Sequence, residues 1–260
     1  MENILEKIVA NTRLEVEARK SAKPLARIES ECSDHLPLSL ATHLAQSPTG
    51  IIAEFKRKSP SLGWIKQDGR PDHIPLAYQK AGATAVSILT DKEFFGGEAS
   101  YIVEARKSLT IPILRKDFIV DPYQVYEAKS IGADAILLIA ACLSKDECRS
   151  LAALAADLRL DVLLEVHDER EAEHFCHGVT AIGVNNRNLK TFVTNIAVSK
   201  RLASYLPHEV VRVSESGLAR PEHIAELREY GYRGFLMGET FMKTPSPGQA
   251  LQTFISSLAQ

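Results

Sequence analysis

The chain has 260 residues, 45% hydrophobic and 25% charged, with a formal net charge of −2. That balance suits a soluble globular protein with a substantial core and gives no electrostatic footprint for nucleic acid or an anionic membrane; no apolar run approaches the ~20 residues of a bilayer-spanning helix. The opening "MENILEKIVA" lacks the basic-then-apolar layout of a secretory signal, and Cys32, Cys142, Cys148 and Cys176 form no CxxC pair, which together point to reduced thiols in a cytoplasmic protein.

Residues 1–47 begin with "NILEKIVANTRLEVEARK". Its Ile4, Leu5, Ile8, Val9, Thr12 and Val16 fall on one helical stripe. A second short helix is expected over Pro37–Ala45. The pair reads as an N-terminal helical extension, either a plug over one end of the following domain or part of a substrate lid. From residue 48 to 260, eight strand-like runs follow: Ile51–Lys56, Thr84–Thr90, Ile111–Lys116, Asp134–Ala140, Asp161–Val166, Thr180–Asn185, Glu209–Ser214 and Gly234–Gly238. Amphipathic segments lie between them. "DPYQ", "LSKDE" and "ARPEH" mark helix starts. The glycines of "KAGATAV", "SIGADAI" and "EYGYRGF" mark helix ends, where a positive φ turns the chain back. "HFCH" (174–177) is the one metal-like cluster. It sits in a helical-looking segment without two further ligands, so a surface helix is expected there rather than a zinc site.

Strand and helix alternating eight times predict an α/β fold, a single (β/α)8 TIM barrel of the usual ~250 residues. An open doubly wound sheet is the rival. The first strand, however, runs into "RKSPSLGWIKQDG", which is neither a GxGxxG nor a Walker loop.

The strands turn polar at their C-terminal ends. In the first, Ile52, Glu54 and Lys56 share one face and Ile51, Ala53 and Phe55 the other. The third ends at Lys116, the fifth at Glu165, the sixth at Asn185, and the seventh carries Ser214 and Ser216 in one register. A single polar strand end is where a strand meets water. Five converging on one barrel mouth crowd charges together, and charges are rarely buried unpaired. Either they form a structural ion-pair network, or they form a catalytic site with two acids and two bases. The catalytic reading is favoured, because active sites of this fold lie at that face. The loops "SESGL" (214–218) and "MGETF" (237–241) place Gly217 and Gly238 where backbone N–H groups and helix N-termini favour a phosphate, or where turns are merely tight. Phe94 and Phe95, Phe118, Leu137 and Leu189 are either plain core or an apolar wall for a flat ring.

"AEFKRKSPSLG", "ILRKDFIVDPYQ", "GADAILLIAA", "LLEVH", "IGVNNRNL", "VSESG" and "FLMGETFM" together resemble the indole-3-glycerol phosphate synthase family over nearly the whole chain. The resemblance implies a carboxy-lyase of tryptophan biosynthesis without metal or organic cofactor. Its substrate would be 1-(2-carboxyphenylamino)-1-deoxyribulose 5-phosphate, which undergoes ring closure, decarboxylation and dehydration. It implies Glu54, Lys56, Lys116, Glu165, Asn185 and Ser216 as the catalytic set, with Glu215 and Arg187 as flanking polar residues. Ser59, Gly217 and Gly238 would lie near the phosphate. Phe95, Phe118, Leu137 and Leu189 would wall the anthranilate ring.

On this footing Lys116 is expected to be the acid in ring closure, its pKa lowered by Lys56 and partial burial. Glu165 is expected as the base, Lys56 as a holder of the substrate carboxylate or phosphate with a share in later acid chemistry, and Glu54 as a tuner of the lysines. Asn185 and Ser216 would orient hydroxyls. Two positions depart from the family pattern. Leu62 stands where a lysine is frequent, with Trp64 following as a candidate lid contact. Glu239 stands where small hydroxyl residues are frequent, and is expected to point away from the phosphate. A Schiff-base aldolase and an inactive barrel serving as a binding partner are the rival functions. The expected partner is a small phosphorylated molecule, not nucleic acid or membrane, and the expected state is a monomer or weak homo-oligomer.

Overall fold

The structure is a computed structural model that describes residues 4–32, 35–188 and 191–258. Eight strands form its centre: β1 (Ile51–Phe55), β2 (Ala85–Leu89), β3 (Ile113–Lys116), β4 (Ala135–Ile139), β5 (Asp161–Val166), β6 (Ala181–Asn185), β7 (Val211–Glu215) and β8 (Gly234–Met237). Each pairs in parallel with its sequence neighbours, and β8 returns to β1 to close the barrel. Closure leaves none of these eight strands with an unpaired edge. The helices are α1 (Ile4–Ala22), α2 (Leu25–Glu31), α3 (Leu40–Gln46), α4 (Ile74–Lys80), α5 (Ser100–Arg106), α6 (Pro122–Ser130), α7 (Lys145–Asp157), α8 (Glu169–Ala172), α9 (Ala197–Leu202), α10 (Pro221–Glu229), α11 (Glu239–Met242) and α12 (Pro247–Leu258).

Local chemistry sets the boundaries. Asp121 caps α6 by accepting from the Tyr123 N–H at 2.9 Å, Ser144 and Glu147 form a capping box on α7, and Pro221 opens α10. β3 begins at Ile113 rather than Ile111, since Pro112 has no N–H to give a ladder. β7 begins at Val211 rather than Glu209 and runs through Glu215. The extension holds one more helix than expected, α2, whose buried Ile28 packs with Val16 and Tyr123. "HFCH" is not helical: α8 ends at Ala172, and His174 lies in the turn beyond, its Nε2 3.0 Å from the Leu143 carbonyl oxygen. Among the described residues no cluster could hold a metal ion, and no helix is long and apolar enough to cross a membrane.

Alternation along the strands separates two cores. Ile51, Ala53 and Phe55 face the helix ring, while Ile52, Leu114, Leu163, Val213 and Leu236 face the interior. Leu40 and Leu44 of α3 join that inner cluster from the N-terminal end of the barrel. Asp161, the first residue of β5, ties α3 down by accepting from Ser39 Oγ at 3.0 Å and the Ala41 N–H at 2.9 Å. The buried Asp134 accepts from the Leu38 N–H at 2.8 Å, the Ile113 N–H at 2.7 Å and Arg106 Nη1 at 2.6 Å. α3 stoppers the lower end, whereas α1 places Ile4, Leu5 and Ile8 in the wall of a cavity at the upper end.

Candidate active site

β1, β3, β5, β6 and β7 each end with an inward polar side chain, and these meet in a cavity of about 550 Å³ at the C-terminal mouth. Lys116 Nζ lies 3.0 Å from Glu165 Oε2 and 3.4 Å from Glu215 Oε2. Asn185 Nδ2 donates to Glu165 Oε1 at 3.1 Å. Lys56 pairs with Glu54. Glu54, Glu165 and Glu215 are all buried.

The charges set one another's protonation. Burial lowers the Lys116 pKa, but Glu165, Glu215 and Glu54 outweigh it and hold the amine above the ordinary lysine value. The expected lowering by Lys56 does not occur, because carboxylates surround Lys116 and Lys56 is itself paired with Glu54. Burial would raise the Glu165 carboxyl, yet Lys116, His167 and Asn185 pull it well below the usual carboxylate range. Glu215 goes the other way. Burial raises it to about 7, with Lys116 opposing and Glu165 and Glu54 adding to the rise. Two glutamates thus share one lysine, one ionised and one titrating near neutrality. Such divergence is how one site supplies both an acid and a base.

Two glycines make room for this cluster. A Cβ at Gly183 would come within 2.2 Å of Glu215 Oε1, and one at Gly238 within 2.5 Å of Glu54 Oε1. Gly238 has φ −128°, so the close approach of Glu54, not a tight turn, requires glycine there. Ser216 and Gly217 both adopt left-handed backbone, with φ of 67° and 73°. For serine that conformation is uncommon and strained. Asn186 holds it in place, donating to the Ser216 carbonyl oxygen at 3.1 Å and to Ser214 Oγ at 2.9 Å. The expected common register of Ser214 and Ser216 is therefore wrong. Ser214 faces the helix layer, Glu215 takes the inward position, and Ser216 lies past the strand end.

The apolar side of the cavity is built from Phe95 and Phe118, with ring centroids 6.0 Å apart, together with Leu137, Leu89 and Ile139 and the α1 residues Ile4, Leu5 and Ile8. Asp91 Oδ1 fixes the first loop by accepting from the Phe94 and Phe95 N–H groups at 2.7 and 3.0 Å. Asp117 fixes the second, accepting from Thr90 Oγ1 at 2.6 Å and from the Phe118 N–H at 2.9 Å. Asp117 is anchored in turn at 2.9 Å by the fully buried Arg115.

At the rim Arg187 Nη2 lies 3.3 Å from Glu239 Oε2, and Lys243 pairs with the same carboxylate. The Glu239 carboxylate is turned onto these two cations. The residue lines the cavity with its charge matched. Trp64, the candidate lid contact, stands apart from the lining. It is half-exposed, with Arg57 and Lys58 beside its ring at 5.5 and 5.8 Å and Gly96 beneath it.

The catalytic and binding residues singled out from the sequence line this one cavity, apart from Leu189, which falls outside the described residues, while Phe94, Ser214 and Trp64 lie outside its lining. The sequence reading missed the centrality of Glu215 and the places of Gly183 and Lys243. A glycine inside a strand run, as in "AIGVN", is the signal that marks a close approach.

Comparison with known proteins bears on what this cavity does. A family model described as Indole-3-glycerol phosphate synthase matches residues 5–254. A protein of that name from Bacteroides thetaiotaomicron is 51% identical over 99% of this chain and 100% of its own length. One from Rhodospirillum rubrum is 43% identical over 98% and 100%. Among solved structures, a mutant tryptophan synthase α-subunit from Pyrococcus furiosus superposes with a TM-score of 0.61 at 14% identity, covering 81% of this chain and 98% of that one, a likeness of fold alone. With a matching model over nearly the full length and relatives this similar end to end, the chain belongs to the indole-3-glycerol phosphate synthase family.

Proposed function

We propose that this chain converts 1-(2-carboxyphenylamino)-1-deoxyribulose 5-phosphate into indole-3-glycerol phosphate, carbon dioxide and water. The observation that carries the reading is Lys116 lodged between Glu165 and Glu215, in the same cavity as the Phe95–Phe118 wall and the Ser216–Gly217 and Gly238 backbones. In ring closure an aromatic carbon attacks the ribulose carbonyl carbon, and the oxygen gains negative charge. Lys116, fully charged at neutral pH, stabilises that oxygen and gives it a proton. A developing alkoxide is basic enough to take one from an ammonium with no lowered pKa. The carboxyl carbon then leaves as carbon dioxide, and its bonding electrons neutralise the iminium. In dehydration Glu165 removes the ring proton, and Lys56, held by Glu54, protonates the departing hydroxyl.

Asn185 and Ser216 orient the sugar hydroxyls. Arg187 and Lys243, with Ser59 and the backbones of Gly217 and Gly238, take the phosphate. The apolar wall holds the anthranilate ring. All of these groups come from one chain, so a monomer is competent, and the reading places the enzyme among soluble cytoplasmic proteins.

The test is to add the substrate to purified protein and follow indole absorbance and fluorescence. Indole product is expected, and its absence overturns the reading. Borohydride in the presence of a sugar phosphate covers the aldolase alternative. No covalent adduct is expected, because Lys116 is charged and clamped by two carboxylates.

A further inference from the structure

One buried titratable group beside the site has no part in the chemistry above. Leu163 and Glu165 of β5 face the barrel interior, and His167 is next on that face, just past the strand end. Its side chain is 15% exposed and stands behind Glu165 rather than in the cavity lining. Its Nδ1 lies 3.0 Å from Glu171 Oε2, and the same oxygen accepts from the His167 backbone N–H at 2.7 Å. An ionised carboxylate only accepts, so Nδ1 carries a hydrogen. Nε2 is buried without a hydrogen-bond partner and lies 3.5 Å from Glu165 Oε1. A neutral ring would aim a lone pair at that carboxylate, whereas a protonated ring aims an N–H.

We propose that His167 is a positioning residue for the reaction: an imidazolium held between Glu171 and Glu165 that keeps Glu165 ionised and directed at Lys116. The proposal rests on Glu165 being the base. The groups around the ring all favour the cation. Glu165 sits two residues back on β5, Glu171 comes from α8, and Glu215 reaches across from β7. Burial pushes the ring's pKa down, but the hydrogen bond to Glu171 and the charges of Glu165 and Glu171 outweigh it and raise it, with Glu215 adding to the rise only once it ionises. Cys142, which shares Glu165 and Glu171 as neighbours, is pushed up to about 12 by burial and stays neutral. The placement also breaks a symmetry. Lys116 is shared between Glu165 and Glu215, and a second positive charge on the Glu165 side decides which carboxyl holds the proton. Glu165 then serves as base, and Glu215 is the one of the two that keeps its proton to higher pH.

The test combines histidine nitrogen NMR with pH–rate profiles. In the unmodified protein at pH 7, both ring nitrogens of His167 should show imidazolium shifts; a neutral ring at that pH overturns the proposal. For His167→Gln, kcat is expected to fall roughly tenfold, the scale of losing a group that orients a reacting one, with KM within about twofold. The acid limb of kcat should move up by roughly one pH unit as Glu165 loses a cation. Glu171→Gln leaves the ring in place and should move both the ring's titration and the acid limb, the limb upward by less. A purely structural role predicts a lower Tm, restored by Gln relative to Ala, with an unmoved acid limb; that result overturns the proposal. Should the unmodified chain form no indole product, the functional reading fails instead, and the NMR titration decides the pairing alone.

Discussion

At its N-terminal end the barrel closes around Leu40 and Leu44 of α3, and the carboxylates there, Asp134 and Asp161, accept from backbone and side-chain donors on the extension. At its C-terminal end Glu54, Glu165 and Glu215 share Lys56 and Lys116, and Glu215 Oε1 has no hydrogen-bond partner at all. The same strands carry both ends. The carboxylates of the lower end are satisfied by hydrogen bonds, which is what stability asks of a core. The upper end keeps charges crowded and one acceptor unmatched, which costs stability and leaves proton-transfer groups available to a ligand. Orphaned or strained groups are expected where function overrides packing, and Glu215 Oε1, His167 Nε2 and the left-handed Ser216 lie together at this end of the barrel.

If that division is right, substitutions at the two ends must separate activity from stability. The largest effect should come from Lys116→Ala. Turnover should fall by ~10²–10⁴-fold, the range for a positioned acid, while Tm at pH 6 stays near the original because both neighbouring glutamates can take up protons. Near-normal indole formation would remove Lys116 from the mechanism. Leu44→Ala should do the reverse. Truncating a fully buried leucine is expected to cost about 2–5 kcal/mol, read by urea denaturation, with kcat of the remaining folded enzyme within about twofold. A large loss of kcat there would show that the ends are coupled.

Glu215→Gln tests the cost of the upper end directly. The folded-state pKa of about 7 lies above that of an unfolded glutamate. Its contribution is therefore fully present at low pH and is lost as pH rises from the ordinary carboxylate range to about 7. Gln stays neutral, so the Tm of the variant should rise above that of the parent across this interval, by at most on the order of 3 kcal/mol in stability, and level off beyond it. A Tm difference independent of pH would mean that Glu215 is ionised throughout. The smallest effect is expected for Trp64→Ala. Its ring contacts are exposed and worth about 1 kcal/mol or less, and kcat should change less than about twofold. A large drop in kcat would restore Trp64 as a lid.

Much of this was legible in the sequence, for identifiable reasons. The barrel could be read because turn glycines and helix caps are local signals; Gly82, Gly132 and Gly231 have the positive φ their positions suggested. Lys116 and Glu165 could be read because polar residues ending apolar strands stand out. The protonation pattern could not. Strand spacing set Lys56 beside Lys116 but not Glu215, because an inward glutamate next to two serines in "SESG" carries no mark of its direction. Nor could the sequence show that Asn186 anchors Ser216 while Asn185 faces the cavity, since the two are adjacent and identical in type.

From its sequence alone this chain was bound to form an eightfold strand–helix repeat with polar strand ends and an apolar helical stripe at the front, because periodicity, caps and turns act over a few residues. The folded barrel decided which glutamate keeps its proton, that α1 walls the cavity while α3 stoppers the far end, and that Gly183 and Gly238 exist to admit carboxylates. Those depend on distances of a few ångströms between strands far apart in sequence, and in a buried site such distances set the electrostatics.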